Sequence, residues 1–544
     1  MNRRQFLRAS ALSASALALN PRRALASDIP KSALRTPHSR KPNLVFLMTD
    51  QQRWDTLACY GNRVIHAPTL NKLASESVIY DNAIVSHPVC TPSRGCMMTG
   101  LWPHQSGVTA NNIRLPRSTP CYPELINDPD YRTAQIGKWH LGDELFAQHG
   151  FQEWVGTEDQ YQAHFYPDRD KDTKSDYWHF LSEKGLKPGK NGYFSREFAC
   201  RQPIENGKPA FQAMKAVEFL RRNKNNPFIL QVSYLEPHTP FISPLKNRYD
   251  DEPLPPPESY FKRHENPDSR SWRVRMLQDY FAKRKTFSGP PAQLSEINRH
   301  YYGNVSVVDR SVATILAELE RLGLADNTII VFTSDHGELL GAHGLWFKEI
   351  MYQEAMRVPM FIKVPGARGG TRITAPWQHT DLVPTLLGLM GKPVPANLPG
   401  RNRAPEIHGE HMPAQTIYSE WTPNVGTDDE SPGRSSVEIA ARKKKAEAEA
   451  REKAAGNPAA PAQPAVLEHQ KYMDSSSRVA ISPDNWKLWL SDADIPQLFN
   501  MNEDPLELRN LYKESQHRDR VKTMTADILK WQENTNDRLT LARS

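Results

Sequence analysis

At 544 residues the chain is too long for one small core, and with 38% apolar and 24% charged residues it has a globular composition. Its formal charge of +7 gathers at the front, where Arg3, Arg4, Arg8, Arg22 and Arg23 precede residue 27 with no acid among them. Taking those five from 69 bases leaves 64 against 62 acids, which excludes an argument for nucleic acid from charge, and no apolar run is long enough to span a bilayer.

In chain order, the first 26 residues combine "RRQFLR", the weakly apolar "ASALSASALALN" and an Ala24-Leu25-Ala26 cleavage pattern. Together they predict a twin-arginine signal peptide, engagement of the twin-arginine export machinery, and a periplasmic or secreted mature protein. "NLVFLMTD" (43–50) is a continuous apolar run ending at an acid, as expected of a buried parallel strand. In "SHPVCTPSRGCMMTG" (86–100), Pro92 is suited to open a helix capped by Thr91 and ended by Gly100. Cys90 would then precede a helix N-terminus, where backbone donors favour anions, with Arg94 one turn on to complete a pocket for a small oxyanion. By itself Cys90 could be a core residue, a nucleophilic thiol or a modification site.

"YRTAQIGKWH" (131–140) and "PFILQVSYLEPH" (227–238) are two more strand-to-loop transitions, and 244–290, rich in Pro, Asp, Arg and Lys, reads as a surface excursion. Ile297, Tyr301, Val305, Val308, Val312, Ile315, Leu319 and Leu322 form a helical stripe over 295–322, ended by Gly323. "NTIIVFTSD" (327–335) repeats the strand-to-acid pattern. Residues 424–470, with "ARKKKAEAEAREKAA" and "GNPAAPAQPAV", have the composition of an inserted solvated helix and linker. The remainder predicts short antiparallel strands and a terminal helix.

These elements predict an α/β architecture, a large, mostly parallel sheet with helices on both faces over 27–410, then a smaller α+β domain over 411–544. Ligands of such sheets bind beyond the carboxyl ends of the strands, and Asp50, Lys138, His238 and Asp335 all fall at such ends. The five cysteines are odd in number and too sparse for a disulfide scaffold.

"CTPSRGCMMTG" resembles the C-x-P-x-R-x4-T-G signature of formylglycine-dependent (type I) sulfatases in the alkaline-phosphatase superfamily, and "GKWHLG" (137–142), "EPHTPF" (236–241), "FTSDHGELLGAHG" (332–344) and "LFNMNEDPLELRNLY" follow in the family's order. The resemblance implies an alkaline-phosphatase-like mixed sheet and conversion of Cys90 to formylglycine by a formylglycine-generating or maturase enzyme. A hydroxyl of its geminal diol attacks sulfur, and the second hydroxyl then loses its proton and expels sulfate. It also implies one divalent ion at Asp50, Gln51, Asp335, His336 and residue 90. Arg94 would hold the formylglycine, Lys138 a sulfate oxygen, and His140 would take the proton of the second hydroxyl. His238 and Lys348 would assist the leaving alkoxide.

Many family members have paired acids at the first motif and Asp-Asn at the late one, whereas this chain has Asp50-Gln51 and Asp335-His336. Calcium is the cation implied by resemblance, while an imidazole ligand also suits manganese, and magnesium is the third option. The expected substrate is a sulfated saccharide. The same two pairs resemble phosphonate and phosphodiester hydrolases, which supply the alternative activity. A non-catalytic carbohydrate-binding relative would have no use for a leaving-group acid.

Overall fold

The computed structural model describes residues 41–262, 264–423 and 471–542. The signal-peptide reading of 1–26 and the insertion reading of 424–470 lie outside the described residues. In chain order the strands are β1 (Asn43–Asp50), β2 (Val78–Tyr80), β3 (Ala83–Ile84), β4 (Arg132–Gly137), β5 (Glu153–Val155), β6 (Phe228–Pro237), β7 (Thr328–Ser334), β8 (Arg357–Val358), β9 (Met360–Lys363), β10 (Arg372–Ile373) and β11 (Trp377–Gln378). They are followed by β12 (Ile417–Trp421), β13 (Ser477–Ile481), β14 (Trp486–Ser491) and β15 (Gln497–Asn500).

Eight strands form the main sheet in the order β10-β2-β9-β7-β1-β6-β4-β5. The run β7-β1-β6-β4-β5 is parallel, while β9 runs antiparallel to both β7 and β2. β1 is buried along its whole length because it has a core on each side: Leu44, Phe46 and Met48 face one, Val45 and Leu47 the other. Helices 208–223 and 291–321 cover the second face, and Met97 and Met98 of helix 90–99 belong to the first. Burying each such side chain is worth about 1.5–3 kcal/mol. This is the mixed, mostly parallel sheet between helices that the sequence predicts.

The 31-residue helix Pro291–Arg321 starts earlier than the stripe suggests, because Pro291 is tolerated in a first turn and Leu294 extends the buried face. Residues 244–290 are not the surface excursion expected of their charge: Tyr249, Leu254, Val274 and Phe281 enter the core. Within that stretch Ser271 caps helix Trp272–Ala282 through the Val274 N–H, and Asp494 accepts from the N–H groups of Trp272 and Arg273.

β12 to β15 form an antiparallel sheet in sequential order. One of its faces packs on helix Arg518–Thr535 through Ala480, Leu488, Leu498 and Ile528, and the other joins the main core through Val479, Trp489 and Phe499. Among the described residues no helix is long and apolar enough to cross a membrane.

Candidate active site

The parallel strands end in register. Asp50 of β1 lies opposite Pro237 of β6, Thr49 opposite Ser334 of β7, and Gly137 of β4 opposite Ser233 of β6. The next residues are therefore Gln51, His238, Asp335 and Lys138, brought to one edge by register alone. Gly137 sits at φ +105°, and a Cβ there would collide with the Gln212 side chain and the Ser233 carbonyl. Only glycine can make this close approach, which delivers Lys138 into the site.

Helix Cys90–Thr99 closes the group from the other side and is buried throughout. It begins at Cys90, not at Pro92, with Val89 as its cap residue, so Pro92 is the third helical residue. Thr91 is no cap: its hydroxyl donates to the His140 carbonyl at 3.0 Å and its N–H to Asn111 Oδ1 at 3.1 Å. With those bonds made elsewhere, the helix starts two residues before Pro92, at Cys90.

Arg94 organises the carboxylates. Its Nη2 donates to Asp50 Oδ2 at 2.9 Å and its Nε to Asp335 Oδ2 at 2.8 Å, while Nη1 donates to Ser233 Oγ and the Lys138 carbonyl. These bonds go to the two carboxylates and to the residues around them. Both Oδ1 atoms turn toward His336, 3.7 and 3.6 Å from its Nε2, and that of Asp335 also accepts from the N–H groups of Gln51 at 3.0 Å and His336 at 2.8 Å. His336 Nδ1 donates to the Gly337 carbonyl at 2.9 Å, which leaves Nε2 as the acceptor. Donor atoms of Asp50, Cys90, Asp335 and His336 lie within 4.8 Å of one another, all buried.

Cys90 Sγ is 3.1 Å from His336 Nε2, 3.7 Å from Asp50 Oδ1 and 3.3 Å from Lys348 Nζ. Burial pushes its thiol up to about 12, and the Asp50 charge adds to this, so an unmodified Cys90 is protonated at neutral pH and a weak nucleophile. Burial also lowers His336, to about 4. For Asp50 burial favours the neutral acid, but Lys138 foremost, with Arg94 and Lys348, holds its carboxyl well below the usual range.

Lys348 Nζ donates to Gln51 Oε1 at 2.7 Å and lies 3.0 Å from His238 Nε2. Lys138 Nζ approaches Asp50 Oδ2 at 2.9 Å without hydrogen-bonding geometry, so its donors are still available. The His140 backbone is held at φ 63° by Glu144, which accepts from the N–H groups of Trp139 and His140. Its ring reaches Asn112 Oδ1 through Nε2 at 2.9 Å and packs on Tyr161 with centroids 4.4 Å apart. Nine of the ten residues singled out in the sequence thus share one side-chain network, and the His140 ring stands beside it. Glu338, Ser233, Asn112 and Tyr161 were not singled out. Of these, only Glu338 had a local signal, as the acid three residues after Asp335.

A parallel-sheet edge that presents two carboxylates, two imidazoles and three cations around a buried residue at a helix N-terminus is suited to hold a tetrahedral oxyanion. The sulfatase family model matches residues 42–392, so the chain belongs to the sulfatase family and is a sulfuric ester hydrolase. It is 28% identical over 427 residues to N-acetylglucosamine-6-O-sulfatase of Bacteroides thetaiotaomicron, covering 68% of this chain and 72% of that one. A solved structure in complex with its substrate D-glucosamine-2-N,6-O-disulfate shares the fold, with TM-score 0.69 and 23% identity over 92% of this chain and 99% of that chain. The phosphonate monoester hydrolase of Silicibacter pomeroyi shares it equally, with TM-score 0.69 and 20% identity over 91% and 96%.

Proposed function

We propose that this sulfatase hydrolyses a sulfate ester on a saccharide, with residue 90 as formylglycine and one divalent cation. The observation that carries the reading is the meeting of Cys90 with two inward carboxylate oxygens, one imidazole nitrogen and the Lys348 ammonium in a buried site. The saccharide rests on the likeness to N-acetylglucosamine-6-O-sulfatase.

The donor set fits a divalent cation. Arg94 occupies both Oδ2 atoms, both Oδ1 atoms turn toward His336, and the Gly337 carbonyl fixes the His336 tautomer with Nε2 free to bind metal. Asp50, Asp335 and His336 would hold the ion, with Gln51 and residue 90 beside them. In the reaction the cation supplies positive charge and formylglycine supplies a geminal-diol hydroxyl as the nucleophile.

The chain's own groups do the rest. Lys138 Nζ turns its donors to a sulfate oxygen. His238 donates from Nδ1 to the Thr239 carbonyl and presents its Nε2 lone pair to Lys348, so the pair carries one proton, held at Nζ and delivered to the leaving alkoxide. With Nε2–H given to Asn112, His140 has Nδ1 to receive the proton of the second hydroxyl.

Protein matured with a formylglycine-generating enzyme should release sulfate from a sulfated glucosamine or a related sugar. Preference for a phosphonate monoester or phosphodiester over every sulfated saccharide would instead favour the alternative, which the Asp50-Gln51 and Asp335-His336 pairs support. Export by the twin-arginine route belongs to the same reading, and fractionation of producing cells tests it.

A further inference from the structure

Gln51 lies between two charges that make opposite demands on its amide. On one side Lys348 Nζ, a donor with no acceptor capacity, gives a hydrogen bond to Oε1 at 2.7 Å. On the other side the Gln51 amide nitrogen donates to Glu338 Oε2 in a very close contact. Glu338 is fully buried, and its second oxygen accepts from the N–H groups of Leu340 at 2.8 Å and Phe347 at 2.6 Å. One carboxylate thus ties the residue after β1 to both limbs of the loop that carries Lys348.

The backbone reinforces this junction. Gln51 has φ 68°, Leu340 φ 48° and Phe347 φ 69°, conformations that side-chain-bearing residues adopt only when their surroundings impose them. The Gln51 carbonyl accepts from the Tyr301 hydroxyl at 2.7 Å, and that hydroxyl accepts from the Arg53 N–H at 2.9 Å. Arg53 in turn donates to the carbonyls of Glu338 and Leu339. The main chain on both sides of the amide is fixed, so what remains to be set is which end of the amide faces the site.

We propose that Glu338 is a positioning residue that presents the oxygen of Gln51, rather than its NH2 group, to Lys348 and the cation-binding side of the site. In this chain a neutral amide at 51 and a carboxylate at 338 share the work of an acid at position 51. Without the Glu338 acceptor the Gln51 amide is free to turn over. Its NH2 group would then face the Lys348 ammonium, and Lys348 would lose one of the contacts that hold it against Cys90 and His238.

The inference rests on the sulfatase reading for its effect on turnover, but its decisive measurement needs no substrate. Glu338→Gln keeps size and shape and places an NH2 group against the NH2 of Gln51. It should lower calcium affinity, read by titration calorimetry, and sulfate-ester kcat each by about 10- to 100-fold. The reciprocal double variant Gln51→Glu/Glu338→Gln restores the full set of hydrogen bonds, with only the one between the two side chains reversed. The amide introduced at position 338 donates to the carboxylate introduced at position 51, and its oxygen accepts from the N–H groups of Leu340 and Phe347. The double variant should recover most of both losses. A purely structural glutamate would show in the melting temperature and would not be rescued by moving its charge to position 51. Glu338→Gln with parental calcium affinity, or a folded double variant no better than the single one, overturns the proposal. Because calorimetry works on protein that turns over nothing, a wrong saccharide assignment is distinguishable from a wrong role for Glu338.

Discussion

Lys348 Nζ stands 3.0 Å from His238 Nε2 although the two residues come from different loops, 110 positions apart. Burial, and then Lys348, hold His238 well below the ordinary histidine value. Burial works against the Lys348 ammonium too, yet the Asp50 carboxylate raises it, so the proton shared by the pair is expected on Lys348. Lys348→Ala should therefore cost a saccharide sulfate about 10²- to 10⁴-fold in kcat, and His238→Ala less. An activated aryl sulfate, whose leaving group needs no proton, should lose far less in both variants. The pH–rate profile for the saccharide should have no break near about 6.5 that disappears in His238→Ala. Such a break would place the proton on the imidazole.

The two carboxylates should prove separately necessary for cation binding. Arg94 is bonded to both, so Asp50→Asn or Asp335→Asn removes one inward oxygen charge and also unbalances a buried guanidinium. Each variant should bind calcium at least about 100-fold more weakly by calorimetry, and chelation should abolish turnover in the parent. Full activity after exhaustive dialysis against chelator would remove the cation from the mechanism.

Residue 90 should be formylglycine in active protein. The thiol is held protonated by its surroundings, so the unmodified chain has no ready nucleophile there. Peptide mass analysis of active preparations should find the aldehyde or its hydrate. Cys90→Ala should melt like the parent and release no sulfate. An active preparation with an intact thiol at 90 contradicts the assignment.

The site was legible wherever strand ends carried it. Asp50, Lys138, His238 and Asp335 follow from apolar runs that stop at a polar residue, because parallel strands in register bring such stops to one edge. Helix 291–321 was legible by its spacing. The cap of helix 90–99 was not, because Thr91 is engaged by Asn111 and the His140 carbonyl, partners that only the tertiary structure supplies. Charge misled at 244–290, where Val274 and Phe281 are buried among surface residues. Glu338 offers the sequence only its place three residues after Asp335, because its partners, the Gln51 amide and the Leu340 and Phe347 N–H groups, are brought to it by the tertiary path of the loop.

Acid sensitivity should trace in part to Glu158. It is buried between Arg196 at 2.7 Å and Lys208. Burial favours its neutral form, but Arg196 first, then Lys208 and Lys138, pull its carboxyl down to about 2. Because the folded value lies below the unfolded one, its stabilisation is complete above about pH 4.3 and is lost as the pH falls from there towards 2. Glu158→Gln leaves the buried Lys208 and the part-buried Arg196 facing an amide and should cost about 3 kcal/mol near neutrality. The melting temperature of the variant should fall less steeply than that of the parent between about pH 5 and 3. Parallel curves would show that Glu158 contributes no acid sensitivity.

Residues 424–470 connect two antiparallel neighbours, since Trp421 of β12 lies directly opposite Ser477 of β13. Those two strand ends lie one strand spacing apart, about 5 Å, and only residues 422–423 and 471–476 stand between them and the segment, so a short linker suffices to rejoin the strands. The sheet owes its packing to side chains outside that segment: Val479, Trp489 and Phe499 on one face, Ala480, Leu488 and Leu498 on the other. We expect a chain with 424–470 replaced by a short Gly/Asn turn to fold, with a melting temperature within about 4 °C of the parent, the shift that roughly 1–2 kcal/mol produces in a domain larger than 150 residues. Collapse of the thermal transition would mean that the segment is part of the core. If the transition survives, the kinetics decide what the segment does. Unchanged kcat/KM on both an aryl sulfate and a saccharide marks it as dispensable, and a loss confined to the saccharide assigns it a part in holding the sugar.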